Sequence, residues 1–153
     1  MPSPDIFATA CRAMPAIIIH DLSHARAALA AAAALGVPVT LASPAGAGAY
    51  AGAGWFLALM RKATAAFPTT EATAVLDCGD APGAVMAGIR AGCRHLRFTG
   101  RPDVAERLRD MAAQAGAALV DDLGPVLDLA GARDAETACR RWLGQPDAPV
   151  GQG

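Results

Sequence analysis

Two neighbouring residues with reactive side chains, Asp77 and Cys78, end an apolar run that begins at Thr73. At the carboxyl end of a buried parallel strand, such residues face the side on which α/β proteins bind their ligands. A cysteine thiolate in that position can hold zinc. The alternative is structural: Asp77 caps the turn and Cys78 is a small buried core residue. The pair therefore predicts either a site for a ligand or metal or, under the structural alternative, only a turn.

Two histidines near the first apolar run offer a second group of ligands. His20 and His24 are four residues apart, so a helix would place both imidazoles on one face. With Cys78 and Asp122 from neighbouring strand ends, they could form a metal site. The alternative is a helix start that Asp21 caps, with His24 in solvent.

A glycine-rich stretch at 43–54 and an arginine near the fourth apolar run offer contacts for an anion. Backbone N–H groups of such loops, Gly46 among them, can cradle phosphate. The stretch is neither a P-loop nor a complete dinucleotide-binding motif. Arg101 can meet an anionic group or can simply lie in solvent at a helix start.

Five short apolar runs alternate with alanine-rich helical stretches, which indicates an α/β domain with a parallel sheet. The domain is expected at 16–143, between an N-terminal segment, 1–15, and a flexible tail, 144–153. The sheet is either half of a (βα)8 barrel or an open flavodoxin-like sheet of order 2-1-3-4-5. The predicted strands are 16–19, 37–42, 73–77, 95–99 and 117–120. The later predicted helices are 49–67, 82–91 and 102–115, with one or two more helices within 126–143.

Composition excludes several classes of protein. The chain has 153 residues, of which 54% are hydrophobic and 18% charged, so it is not a disordered chain. A net charge of -1 gives no footprint for nucleic acid or an anionic membrane. The longest apolar run is too short for a membrane span, and no secretory signal is recognisable. The four cysteines are therefore expected as reduced thiols in the cytoplasm.

Several motifs together resemble a known enzyme family. Residues 39–52 have the sequence Val-Thr-Leu-Ala-Ser-Pro-Ala-Gly-Ala-Gly-Ala-Tyr-Ala-Gly, and residues 76–79 are Leu-Asp-Cys-Gly. Residues 115–124 are Ala-Gly-Ala-Ala-Leu-Val-Asp-Asp-Leu-Gly. In this order and spacing, residues 16–124 resemble the N-terminal five βα units of class II, metal-dependent fructose-bisphosphate aldolases.

The resemblance implies roles for particular residues. In that family a divalent metal, usually zinc, polarises the substrate carbonyl, and an aspartate at the position of Asp77 donates a proton. Cys78 falls on the first metal-binding histidine, and Asp122 falls on a glutamate near the metal. Ser43 lies next to the position of a family serine, and Arg101 falls on a loop serine near the substrate.

The departures from the family pattern change the expected function. The remaining metal-binding histidines and the phosphate-binding loops belong to later strands, which this chain lacks. We therefore expect a non-catalytic half-barrel module without a cofactor. It is expected to bind a small metabolite, with or without a phosphate group, or a protein partner through Ser43, Gly46 and Arg101. A homodimer is expected because a half-barrel exposes sheet edges.

Two alternatives remain open. The first is a metal-dependent lyase completed by oligomerisation, with Asp77 as the catalytic residue and zinc on Cys78, His20 and Asp122. The second is a structural subunit of a larger complex. No nucleic acid and no membrane partner is expected in any of the three cases.

Overall fold

The computed structural model describes residues 15–145, so the predicted N-terminal segment and tail lie almost wholly outside the described residues. This part of the chain is an α/β fold with six parallel strands and six helices. The strands are β1 Ala16–Ile18, β2 Val39–Ala42, β3 Ala72–Asp77, β4 His95–Arg97, β5 Ala118–Val120 and β6 Val126–Asp128. The helices are α1 Leu22–Leu35, α2 Ala47–Tyr50, α3 Ala53–Ala65, α4 Pro82–Ala91, α5 Pro102–Gln114 and α6 Ala135–Leu143.

Local signals in the sequence set the helix ends. The Asp21 carboxylate accepts the backbone N–H of His24 and caps α1, and Gly36 ends that helix in the left-handed conformation. The single helix predicted at 49–67 is wrong. Gly52, with φ 89°, separates α2 from α3, because a positive φ interrupts a right-handed helix.

The strand order is β5-β4-β3-β2-β1-β6, with every pair parallel. The predicted flavodoxin-like order 2-1-3-4-5 is therefore wrong. In the structure β2 lies between β1 and β3, so each strand up to β5 pairs with the next one along the chain. Consecutive pairing is the order of a barrel, in which successive right-handed crossovers place the helices on one face.

The helices confirm this arrangement by their contacts. α1 packs against α6 on one side and α3 on the other, α3 packs against α4, and α4 packs against α5. This order of neighbours follows the order of the strands. The helices therefore form one layer on the outer face of the sheet.

The connection from β5 to β6 requires the sheet to curl. These strands form opposite edges, yet only residues 121–125 separate them. A flat sheet of six strands would place its edges about 24 Å apart. Six residue steps reach at most about 20 to 22 Å, and the chain must also return from the carboxyl end of β5 to the amino end of β6. The sheet is therefore strongly curved, as in part of a barrel.

Residues 126–143, predicted to hold one or two helices, also contain a sixth strand that was not predicted. Val126 to Asp128 pair with Ala16 to Ile18 in parallel register. Only α6, the C-terminal half of that range, is a helix. The strand has three residues, too few for a recognisable alternation, and its pairing with β1 is a long-range contact that the local sequence does not encode.

The core lies between the sheet and the helical layer. Large buried side chains of the strands point to the helices, and these are Ile17, Leu41, Leu76 and Leu96. Because side chains alternate along a strand, the residues beside them face the concave side of the sheet. Thr40, Asp77 and Arg97 belong to this inner face, and at its carboxyl edge lies the candidate site.

Candidate functional site

Asp77 is the best-connected polar side chain at the carboxyl edge of the sheet. It is only 4% exposed. Its Oδ1 accepts the backbone N–H groups of Gly46 at 3.0 Å and Gly79 at 2.8 Å. Its Oδ2 accepts a hydrogen bond from Nη1 of Arg97 at 3.1 Å. We call Asp77, Ser43, Gly46, Gly79 and Arg97 the Asp77 cluster.

The backbone conformation of the two glycines allows this double contact. Gly46 has φ 73° and Gly79 has φ 57°, values that glycine adopts without the steric penalty of a Cβ. A Cβ on Gly79 would also lie 3.4 Å from the Cα of Gly46. The two loops thus meet closely over one carboxylate oxygen.

Ser43, the residue that follows β2, completes the cluster. Its Oγ accepts the backbone N–H of Asp77 at 2.8 Å, and its own backbone N–H donates to the carbonyl of Val75. Both Ser43 and Asp77 are buried. The structure therefore brings together three of the predicted site residues, Ser43, Gly46 and Asp77, through hydrogen bonds within the protein.

Arg97 is, with Gly79, one of the two members of the cluster that sequence reasoning missed as site residues. It pairs with Asp77 across β3 and β4 in register. The signal was available, because Leu96 is an apolar core residue and alternation places Arg97 on the opposite face. The predicted Arg101 instead lies in solvent, 79% exposed, where it forms an ion pair with Asp103.

Cys78 faces the opposite way from Asp77. Its side chain is fully buried in the core, and burial, reinforced by the charge of Asp77, raises the pKa of its thiol to about 12. A cysteine binds a metal ion as its thiolate. This buried environment disfavours the thiolate. The side chain also points into the core and away from the carboxyl edge.

We expect the Cys78 thiol to resist alkylation in the folded protein. Iodoacetamide at pH 8 reacts with thiolate, so the peptide that contains Cys78 should stay unlabelled under conditions that label an exposed thiol fully. Peptide mass spectrometry, with a sample unfolded in guanidinium chloride as the control, measures this. Labelling of Cys78 at the rate of an exposed thiol would contradict its position in the core.

The other predicted metal ligands do not converge with Cys78. His20 Nε2 lies 2.6 Å from Asp128 Oδ1, and the His20 backbone N–H donates to Nδ1 of His24. The Asp122 carboxylate accepts the backbone N–H of Gly124 in its own turn. Within residues 15–145, no three His, Cys, Asp or Glu side chains lie where they could hold a metal ion together. The geometry gives no support to a zinc site on His20, Cys78 and Asp122.

Asp128 links the edge strand β6 to β1. The backbone N–H of Ala130 and the ring of His20 lower the pKa of the Asp128 carboxyl. The paired groups lie at the carboxyl ends of their strands, on the same edge as the Asp77 cluster, and β2 lies between β1 and the strand that carries Asp77.

His95 gives the folded domain a predictable pH dependence. It is half-buried on β4, and burial together with the positive charge of Arg94 lowers the pKa of its imidazole below 6.5. The unfolded chain therefore binds this proton more readily than the folded one. Protonation of His95 therefore has no effect on the stability of the domain above about pH 6.5. As the pH drops below that value, it lowers the stability of the folded state.

We expect His95→Gln to reduce the loss of stability between pH 7.5 and 5.5. Urea unfolding of the variant and the parent protein at both pH values measures the difference. An equal loss in both proteins would contradict the assignment to His95.

Comparison with known proteins does not identify a family. No model of a protein family matches the chain, and no curated protein sequence matches it. The resemblance to class II aldolases therefore stays a prediction. Among the described residues, no helix combines the length and the apolar character needed to cross a membrane.

Proposed function

We propose that this chain is a non-catalytic half-barrel module, related to class II aldolases, that binds a small metabolite at the carboxyl edge of its sheet. The observation that carries this proposal is that groups of the protein itself occupy the carboxylate of Asp77. Both of its carboxylate oxygens accept hydrogen bonds from the protein, and the group is almost completely buried. A proton donor must reach the substrate within hydrogen-bond distance, whereas this carboxylate is committed to Gly46, Gly79 and Arg97.

The fold supports the proposed relationship in a second way. Consecutive parallel pairing from β1 to β5, with one outer layer of helices, is the arrangement of the first five units of a (βα)8 barrel. Ligands of such folds bind at the carboxyl ends of the strands. That edge keeps a cationic side chain, Arg97, and glycine-rich turns, whereas the residue at the metal-ligand position, Cys78, is enclosed in the core.

A thermal-shift screen of the full chain tests this function. The panel contains sugar phosphates, carboxylic acids, neutral sugars and nucleosides, together with a buffer control. A ligand at a hundredfold excess over its Kd stabilises the folded state by about 2.7 kcal/mol, which raises the melting temperature by several degrees. No shift with any compound would overturn the proposal. Metal-dependent aldol cleavage that Asp77→Asn abolishes would instead favour the lyase.

We also propose that two copies associate in the cytoplasm. Large apolar side chains are exposed on several elements, and these are Leu35, Tyr50, Trp55, Met111 and Val126. The edge strands β5 and β6 each pair on one side only, which favours association. The three cysteines of the described part are buried and free, as suits a reducing compartment. Sedimentation at micromolar concentration should give twice the mass of the chain, and the mass of one chain would contradict the dimer.

A further inference from the structure

The guanidinium of Arg97 is held in one orientation at the carboxyl edge of the sheet. Its Nη1 donates to Asp77 Oδ2 at 3.1 Å, and Asp77 is itself fixed by Gly46 and Gly79. The side chain is 28% exposed, so it is held by the protein at one end and open to solvent at another. An arginine held this way loses little further freedom when it binds a ligand.

The Nε atom of Arg97 has no hydrogen-bond partner although it is buried. Buried polar groups are nearly always hydrogen-bonded, and an orphaned cationic donor is costly. Nη1 lies on the Cδ side of the planar guanidinium, so its contact with Asp77 leaves the opposite edge free. Among the described residues, no hydrogen bond uses that edge, which Nε and Nη2 form.

We infer that the free Nε and Nη2 edge of Arg97 is a binding site for an oxyanion, the phosphate or carboxylate group of a small molecule. This edge presents two parallel N–H donors at the spacing of two oxygens of one such group. The ligand approaches through the exposed part of the side chain. A small shift of the guanidinium then opens Nε, which is buried in the unliganded protein, to the acceptor that it lacks. The inference rests on the proposed function, since it names the chemical class of the ligand at the same edge.

Asp77 is a positioning residue in this site rather than a contact for the ligand. Its carboxylate orients Arg97 and partly offsets the positive charge. The remaining donors of the guanidinium then discriminate by geometry, because only a group with two coplanar oxygens satisfies both. Chloride at the same ionic strength should therefore not replace the oxyanion.

Nitrogen-15 NMR of the unmodified full chain tests the site without any substitution. The Nε–H resonance of Arg97, assigned by its absence in Arg97→Lys, is followed while inorganic phosphate or succinate is added at constant ionic strength. We expect a saturable shift with at least one of the two anions and none with sodium chloride. The two arms show whether phosphate or carboxylate is preferred. An Arg97 Nε–H resonance that neither anion moves would overturn the inference.

A matched pair of variants measures the contribution to affinity. Arg97→Lys keeps the charge and removes the two-donor edge, whereas Arg140→Lys makes the same change on α6, where Arg140 pairs with Glu136 in solvent. By calorimetric titration with the preferred anion, we expect Arg97→Lys to weaken binding at least about tenfold and Arg140→Lys to leave it unchanged. Equal affinity in all three proteins would overturn the inference.

Failure of this inference can be distinguished from failure of the proposed function. Stabilisation by a neutral sugar or nucleoside, with no response to phosphate or succinate, would leave the binding module in place and refute the Arg97 site. A lack of response to every compound would refute both. Circular dichroism of Arg97→Lys confirms that any loss of affinity is measured on folded protein.

Discussion

Replacing Asp77 by alanine is expected to lower the free energy of unfolding by about 3 to 5 kcal/mol, the usual effect of breaking a buried ion pair from one side. The substitution removes the acceptor of two backbone N–H groups and the partner of Arg97 at once. Domains of this size are stable by only about 5 to 15 kcal/mol. Urea unfolding measures the change.

Asp77→Asn separates the two parts of this effect. The asparagine Oδ1 can still accept the N–H groups of Gly46 and Gly79, but its amide nitrogen cannot accept from Arg97. We therefore expect a smaller loss, about 1 to 3 kcal/mol.

Asp80→Ala is the control, because Asp80 is exposed three residues further along the same loop. It should change stability by less than about 0.5 kcal/mol. Equal stability of Asp77→Ala and Asp80→Ala would contradict the structural role of Asp77.

Gly48→Ala is expected to destabilise the domain by about 1 to 3 kcal/mol through overpacking. A Cβ on Gly48 would lie 2.9 Å from the Cys78 Sγ, 3.2 Å from the Asp77 carbonyl oxygen and 3.3 Å from the Leu76 Cγ. Two of these atoms belong to buried side chains and the third to the backbone of the candidate site. None of them can move away freely.

Gly54→Ala makes the same chemical change in the next helix with the opposite expected sign. A Cβ on Gly54 has nothing within 4 Å outside its own helix, and alanine is favoured over glycine in a helix by about 0.5 to 1 kcal/mol. Thermal unfolding of both variants gives the comparison. A Gly48→Ala protein as stable as Gly54→Ala would show that α2 does not pack on the end of β3 as described.

Much of the fold could be predicted from the sequence, because its signals are local. Each of the five predicted strands lies within two residues of an observed one, since short apolar runs bounded by glycine and proline mark buried strands. Strand order and β6 could not be predicted in the same way. The pairing of Val126 to Asp128 with β1 joins residues more than a hundred positions apart, and nothing in three residues specifies that partner.

The site could be predicted where the direction of the strands determines which residues meet. Asp77 and Gly46 meet because parallel strands end at one edge. The structure does not bring together the predicted metal set of His20, Cys78 and Asp122, because position at a strand end does not say which face a side chain takes. Alternation from Leu76 predicts that Cys78 shares the core face and that Asp77 does not, and the same rule would have selected Arg97.

Hydrogen exchange at the Gly46 and Gly79 amides tests most directly whether Asp77 is committed to the protein. Both are loop residues whose N–H groups donate to one buried carboxylate oxygen. In the parent protein we expect both amides to be protected like those of β3, and in Asp77→Ala to exchange at the rates of open loops. Rapid exchange of both amides in the parent protein would mean that the carboxylate is free, and would contradict the assignment of Asp77 to structure rather than to catalysis.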